Sequence, residues 1–199
     1  MAVDSEGWRS PVLTWLEANL PRPRLAHSLR VEAMAVDLAQ HHGLAVSLAA
    51  QAGLMHDLAK YFPAEKLLSM AQAAGLELDP MDEAHPHLIH ADVSAVVAQQ
   101  DLGVDHPQVL AAIANHTLGR PGMDAISCVV FLADTLEPGR GHSPELNHLR
   151  QLSYQDLASA VYQTCDYTLA YLMAKRQPIH PRAILTRNWF LGHHRAATE

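Results

Sequence analysis

An all-α chain is predicted, on three observations. No stretch alternates apolar and polar residues long enough to make a strand, apolar residues recur at three- and four-residue spacing, and Pro and Gly punctuate those runs where helices should end. The 199 residues, 49% hydrophobic and 18% charged, suit one domain with a sizeable core and exclude a disordered chain. A net charge of −7 argues against a general affinity for nucleic acid, while a local basic pocket for a small polyphosphate remains open. No apolar run reaches the ~18 residues of a membrane span. Met1 to Glu6 lacks the basic-then-apolar order of a secretory signal, so a cytoplasmic protein with no membrane partner is expected. Cys128 and Cys165 lie in apolar helical context and read as buried free thiols.

Taken in order, Pro11 to Leu20 reads as a short helix ended by Pro21-Arg22-Pro23. Arg24 to His42 is a long helix stopped by Gly43. A further helix covers Ala45 to Asp57, and Pro63 opens one from Ala64 to Ala74, closed by Gly75. Leu78 to His87, with two prolines and three acids, is expected as a loop. Helices then fit His87 to Asp101, His106 to Asn115 and Met123 to Leu136. After the Pro138 to Pro144 loop come a short helix, a long one from Gln155 to Lys175, and a helical tail from about Arg182. Residues 1–20 thus form an N-terminal extension, 21–190 the domain and 191–199 a C-terminal tail.

Metal-capable side chains complete several apolar stripes. The stripes read His27, Val31, Met34, Leu38; then His90, Val93, Val97; then Val109, Ala112, Ile113, His116; then Met123, Val130, Phe131, Asp134. His56-Asp57 closes an Ala/Leu-rich run, with Lys60 one turn on. Taken singly, each histidine is more often a satisfied core residue, and Asp134 alone could be a helix cap or an ion-pair partner for Arg140. Six inward imidazoles and carboxylates together are costly to bury unless a cation binds them. His27, His56, Asp57 and Asp134 suit one ion, and Asp57 could bridge to a second held by His90 and His116. Two cations ~3.5–4 Å apart form the clamp for in-line attack on a phosphoryl group. Ligation by nitrogen and oxygen without thiolate favours Fe, Mn, Co or Zn. The other histidines read as solvated or structural, His87 being nearest to the set.

These residues resemble the H…HD…D signature of the HD-domain metal-dependent phosphohydrolases, through His27, His56-Asp57 and Asp134, with His90 and His116 like the extra histidines of its dinuclear branch. Five stretches are similar, more narrowly, to the bacterial YqeK-type HD family of symmetrical dinucleoside tetraphosphate hydrolases. They are Arg24-Leu25-Ala26-His27-Ser28, His56 to Lys60, Ile89-His90-Ala91, Asn115 to Met123, and Leu132 to Arg140. The resemblance implies an α-helical HD-domain bundle and two divalent transition-metal ions, iron favoured, on His27, His56, Asp57, His90, His116 and Asp134. It further implies that a metal-bridging hydroxide, with Asp57 and Lys60 as catalytic residues, cleaves diadenosine tetraphosphate to two ADP. Lys60, Thr117, Gly119, Arg120, Glu137 and Arg140 would lie around the nucleotide, though for Glu137 and Arg140 a helix-end ion pair is the plain alternative. Other readings are a hydrolase of mononucleotides or cyclic dinucleotides, and a nucleotide sensor with little turnover. A homodimer is left open.

Overall fold

The computed structural model describes residues 7–198, with side chains described to residue 192; the expected signal-free segment Met1 to Glu6 lies outside the described residues. Eleven α-helices and two 3-10 turns make up the described chain, and no strand occurs among the described residues. None of these helices is long and apolar enough to cross a membrane.

Helix α1 (Arg9–Asn19) buries Val12 and Leu16. Helix α2 (Arg22–His41) starts on Pro21 and buries His27, Val31, Met34, Ala35 and Leu38 along one stripe. It packs along α3 (Val46–Met55), and Gly53 sets how closely. A Cβ at Gly53 would stand 3.1 Å from the Glu32 Cα and 3.2 Å from the Ala35 Cβ. Dropping the side chain there lets the two backbones approach and brings the end of α3 beside His27. Helix α3 stops at Met55, and His56 to Tyr61 run on as turns rather than as the expected helical continuation to Asp57. Lys60 therefore owes its position to a turn, its N–H donating to the Asp57 carbonyl at 3.0 Å.

Helix α4 (Ala64–Ala73) follows Pro63 as expected. Where a loop was expected, a short helix α5 (Pro80–Ala84) forms instead. Its cause is a capping box: Asp79 accepts from the Met81 N–H at 2.8 Å, and the Asp79 N–H donates to Asp82 at 3.0 Å. A 3-10 turn (Pro86–Ile89) then leads into α6 (His90–Leu102), which delays that helix by three residues from the His87 start expected.

Helices α7 (Pro107–Asn115) and α8 (Ala125–Leu136) complete the centre. Every residue of α8 from Ile126 to Ala133 is buried, as an Ala/Val/Leu-rich run flanked on all sides should be. Helix α8 touches α2, α3, α7 and α10 (Leu157–Ala174). Between α8 and α10 lie a 3-10 turn (Pro138–Arg140) and α9 (Pro144–Gln155), the latter capped by Ser143. Helix α11 (Pro181–Thr198) folds back along α10.

Candidate metal centre

Five chain segments deliver the polar groups to one place. His27 comes from the second turn of α2, His56 and Asp57 follow the end of α3, and His90 opens α6; His116 follows α7, and Asp134 lies in the last turn of α8. Helix ends carry carbonyls with no intrahelical partner, and three of the rings use them. The Nδ1 of His56 donates to Gly53 at 2.8 Å, that of His90 to His87 at 2.6 Å, and that of His116 to Ile113 at 2.8 Å. A carbonyl only accepts, so each of these rings carries a proton on Nδ1 and points its Nε2 inward. The fourth, His27, gives its Nδ1 proton to the Glu137 carboxylate at 3.0 Å.

The Nε2 atoms of His27 and His56 face each other at 3.2 Å, as do those of His90 and His116. Asp57 stands between the pairs. Its Oδ2 lies 3.2 Å from His56 and 3.9 Å from His27, and its Oδ1 lies 3.3 Å from His90 and 3.7 Å from His116. Asp134 Oδ1 is 3.0 Å from His27 and 3.8 Å from His56. Facing lone pairs at such distances repel unless something positive lies between them. Ligands about 2.0–2.2 Å from one divalent ion stand about 2.9–3.6 Å from one another, a window that holds the shorter contacts in each half, with 3.7–3.9 Å for the remaining three. The donor set of nitrogen and carboxylate oxygen suits the same ions.

Charge is unusually concentrated here. Burial alone would raise Asp57, but His56 first, then His90 and His116, hold it well below the usual carboxylate range. Burial pushes His116 well down, helped by His56 and His90, which keeps the ring neutral. Arg24 donates to Asp57 Oδ2 at 2.7 Å, and Arg140 donates to Asp134 Oδ1 at 2.6 Å and to its carbonyl at 2.8 Å. Lys60 is exposed as a residue, yet its ammonium lies 3.1 Å from the buried His90 Nε2. Burial of that end lowers its pKa, against the pull of Asp57 and Asp134. Thr117 Oγ1 is 3.2 Å from the same nitrogen.

A cavity of about 610 Å³ opens from this centre. His116, Thr117, Asp134 and Arg140 line its inner end, and Phe131, Tyr167, Tyr171 and Leu172 give it apolar and aromatic walls. Lys60, Gly119, Arg120 and Glu137, also expected around the nucleotide, are not among its lining residues. Glu137 is 1% exposed and sits behind His27, where it contacts that ring and Arg30, the latter at 2.5 and 3.1 Å, which is the ion-pair alternative given for it above. Burial would raise its pKa, but Arg30, His27 and the Gly139 N–H bring it to about 2. Gly119, at φ +63°, faces α11, where a Cβ would meet Thr186 Cγ2 at 2.5 Å. Arg120 points to Asn115 and Asp92, outside the cavity wall. Arg24 and Arg30 were not singled out from sequence. The available signal was spacing, since each lies three residues from His27 on the same helix face.

The HD domain family model matches residues 24–139, and the chain belongs to that family. It is 34% identical to the "Bis(5'-nucleosyl)-tetraphosphatase, symmetrical" of Bacillus subtilis (strain 168), across 92% of this chain and 98% of that one. A protein of the same description from Halalkalibacterium halodurans is 31% identical, over 92% of this chain and 97% of the relative. Among solved structures, a "predicted HD superfamily hydrolase involved in NAD metabolism" from Clostridium acetobutylicum superposes with a TM-score of 0.89 at 32% identity, covering 93% of this chain and 97% of that one.

Proposed function

We propose that this protein is a metal-dependent hydrolase of diadenosine tetraphosphate and related dinucleoside polyphosphates, cutting symmetrically to give two ADP. The observation that carries the reading is Asp57, one carboxylate offering an oxygen to each of two histidine pairs, beside a nucleotide-sized cavity that His116 and Asp134 line. The near full-length similarity to symmetrical tetraphosphatases supports the substrate.

His27, His56, Asp57 and Asp134 would hold one divalent ion, and His90, His116 and the other oxygen of Asp57 a second. Iron is the metal we assign, and the cytoplasm the compartment. Such ions supply water ionised near neutral pH and Lewis acidity toward a phosphoryl oxygen. The chain's own part is to orient and to balance charge. The Nδ1 bonds fix every ring so that its Nε2 faces inward. Arg140 on the cavity wall and Lys60 beside His90 would meet the bridge phosphates, which carry about four negative charges that a chain of net charge −7 must attract locally. Thr117 offers a hydroxyl donor there, and the aromatic wall suits a nucleobase and sugar.

Water attacks one central phosphorus in line, and the bond from that phosphorus to the central bridging oxygen breaks. That oxygen departs with the second ADP, and one proton is released. Product analysis after incubation in ¹⁸O-labelled water tests this: ADP alone, labelled in one of each two molecules, is expected. ATP plus AMP would overturn the position of cleavage.

A further inference from the structure

Asp57 divides the centre into halves that use the same ligand types but sit in different surroundings. In the half formed by His27 and His56, two carboxylates contribute, Asp57 through Oδ2 and Asp134 through Oδ1. Behind His27 stands a third, Glu137, which takes the ring proton at 3.0 Å. The other three rings rest on neutral carbonyls. An anionic acceptor on Nδ1–H pushes electron density to Nε2 and strengthens it as a ligand. In the half formed by His90 and His116, Asp57 Oδ1 is the one carboxylate oxygen among the described residues.

Cations touch both halves, but not in the same way. Arg24 and Arg140 bond to carboxylate oxygens, each of which keeps a further lone pair for a metal. Lys60 lies 3.1 Å from His90 Nε2, which has a single lone pair, so an ion and the ammonium compete for one site. Thr117 Oγ1 approaches the same nitrogen at 3.2 Å. Arg30 fixes Glu137 from outside, through two guanidinium nitrogens.

We infer that the two halves bind metal unequally: the His27 half is the tight position, the His90 half is the loose and exchangeable one, and Glu137 and Lys60 are the positioning residues that set the difference. The inference rests on the metal-dependent reading above and adds a ranking to it.

Its test is binding, without turnover. Chelator-stripped protein is titrated with Mn²⁺ alone, free ion being read from its electron paramagnetic resonance signal. Two classes of site are expected, separated by about tenfold or more in Kd. Glu137→Gln should weaken the tight class about ten- to a hundredfold and leave the loose one in place. Lys60→Met should tighten the loose class by about tenfold, because a positive charge 3.1 Å from the His90 Nε2 is removed. Lys60 is exposed as a residue, so this variant decides the matter even if Glu137→Gln fails to fold. Two equal classes in the wild type, or either variant moving the opposite class, would overturn the ranking while leaving a two-metal hydrolase intact. Binding of one ion or none, in the wild type and in Lys60→Met alike, would overturn both.

Discussion

Glu137 holds the ring proton of His27 at 3.0 Å from a side chain that is 1% exposed, and its other oxygen takes the Arg30 Nε at 2.5 Å. A buried carboxylate thereby joins a histidine of the cluster to a partly exposed guanidinium. The arrangement leaves no room for a side chain on the turn between them: a Cβ on Gly139 would lie 2.5–2.7 Å from the Arg30 guanidinium. Gly139 also gives its N–H to Glu137.

Arg30→Ala should therefore destabilise the fold by about 1–3 kcal/mol, the cost of leaving a buried carboxylate short of donors, discounted because the Arg30 side chain is 41% exposed. Gly139→Ala should cost about the same, since it forces the guanidinium off Glu137. Urea denaturation of the double variant should show less than the sum of the two, as both remove one interaction.

Asp57→Ala should be the most damaging single change. Its two oxygens serve both histidine pairs, so elemental analysis should find both ions lost and activity down by about a thousandfold or more. His90→Ala or His116→Ala should instead lose one ion of the two.

Lys60→Ala should lower turnover about ten- to a hundredfold with metal content at saturation unchanged, as expected when one charge-assisted contact worth ~1.5–3 kcal/mol is removed. Loss of metal in this variant would recast the lysine as part of the scaffold for His90.

Gly119→Ala combines a positive φ with a 2.5 Å approach to Thr186 Cγ2, and should cost about 2–4 kcal/mol. Thr186→Ser removes that methyl while keeping the hydroxyl that donates to Leu118 at 3.0 Å. In the double variant, thermal unfolding should recover part of the loss, with the backbone strain remaining.

Burial pushes the Cys128 and Cys165 thiols up to about 12, from an ordinary value of 9.0. Unfolded thiols ionise first, so the folding stability they contribute is complete below pH 9 and disappears as pH rises toward about 12. A disulfide-exchange reagent at pH 8 should find no reactive thiol in the native protein and two after denaturation.

Helix class and the metal-capable residues could be read from the chain because both are local matters. The spacing of His27 from Val31 and Met34 already puts an imidazole on a core stripe, and a buried imidazole demands a partner wherever its helix goes. Gly43, Pro63 and Gly75 mark helix ends by their own backbone preferences. The short α5 was missed because its cap depends on Asp79 and Asp82 bonding to each other's turn, while the prolines nearby read as loop. What only the tertiary structure decided is how residues far apart in sequence divide the work. Glu137 stands 110 residues from His27 and carries no periodic signal that distinguishes a carboxylate behind a ligand from one facing substrate. Gly119 reads as a site glycine until α11 brings Thr186 against it. Which oxygen of Asp57 meets which pair of histidines, and which ring Lys60 approaches, depends on distances of 3–4 Å between elements that meet only when packed, and pattern along a chain contains no such distances.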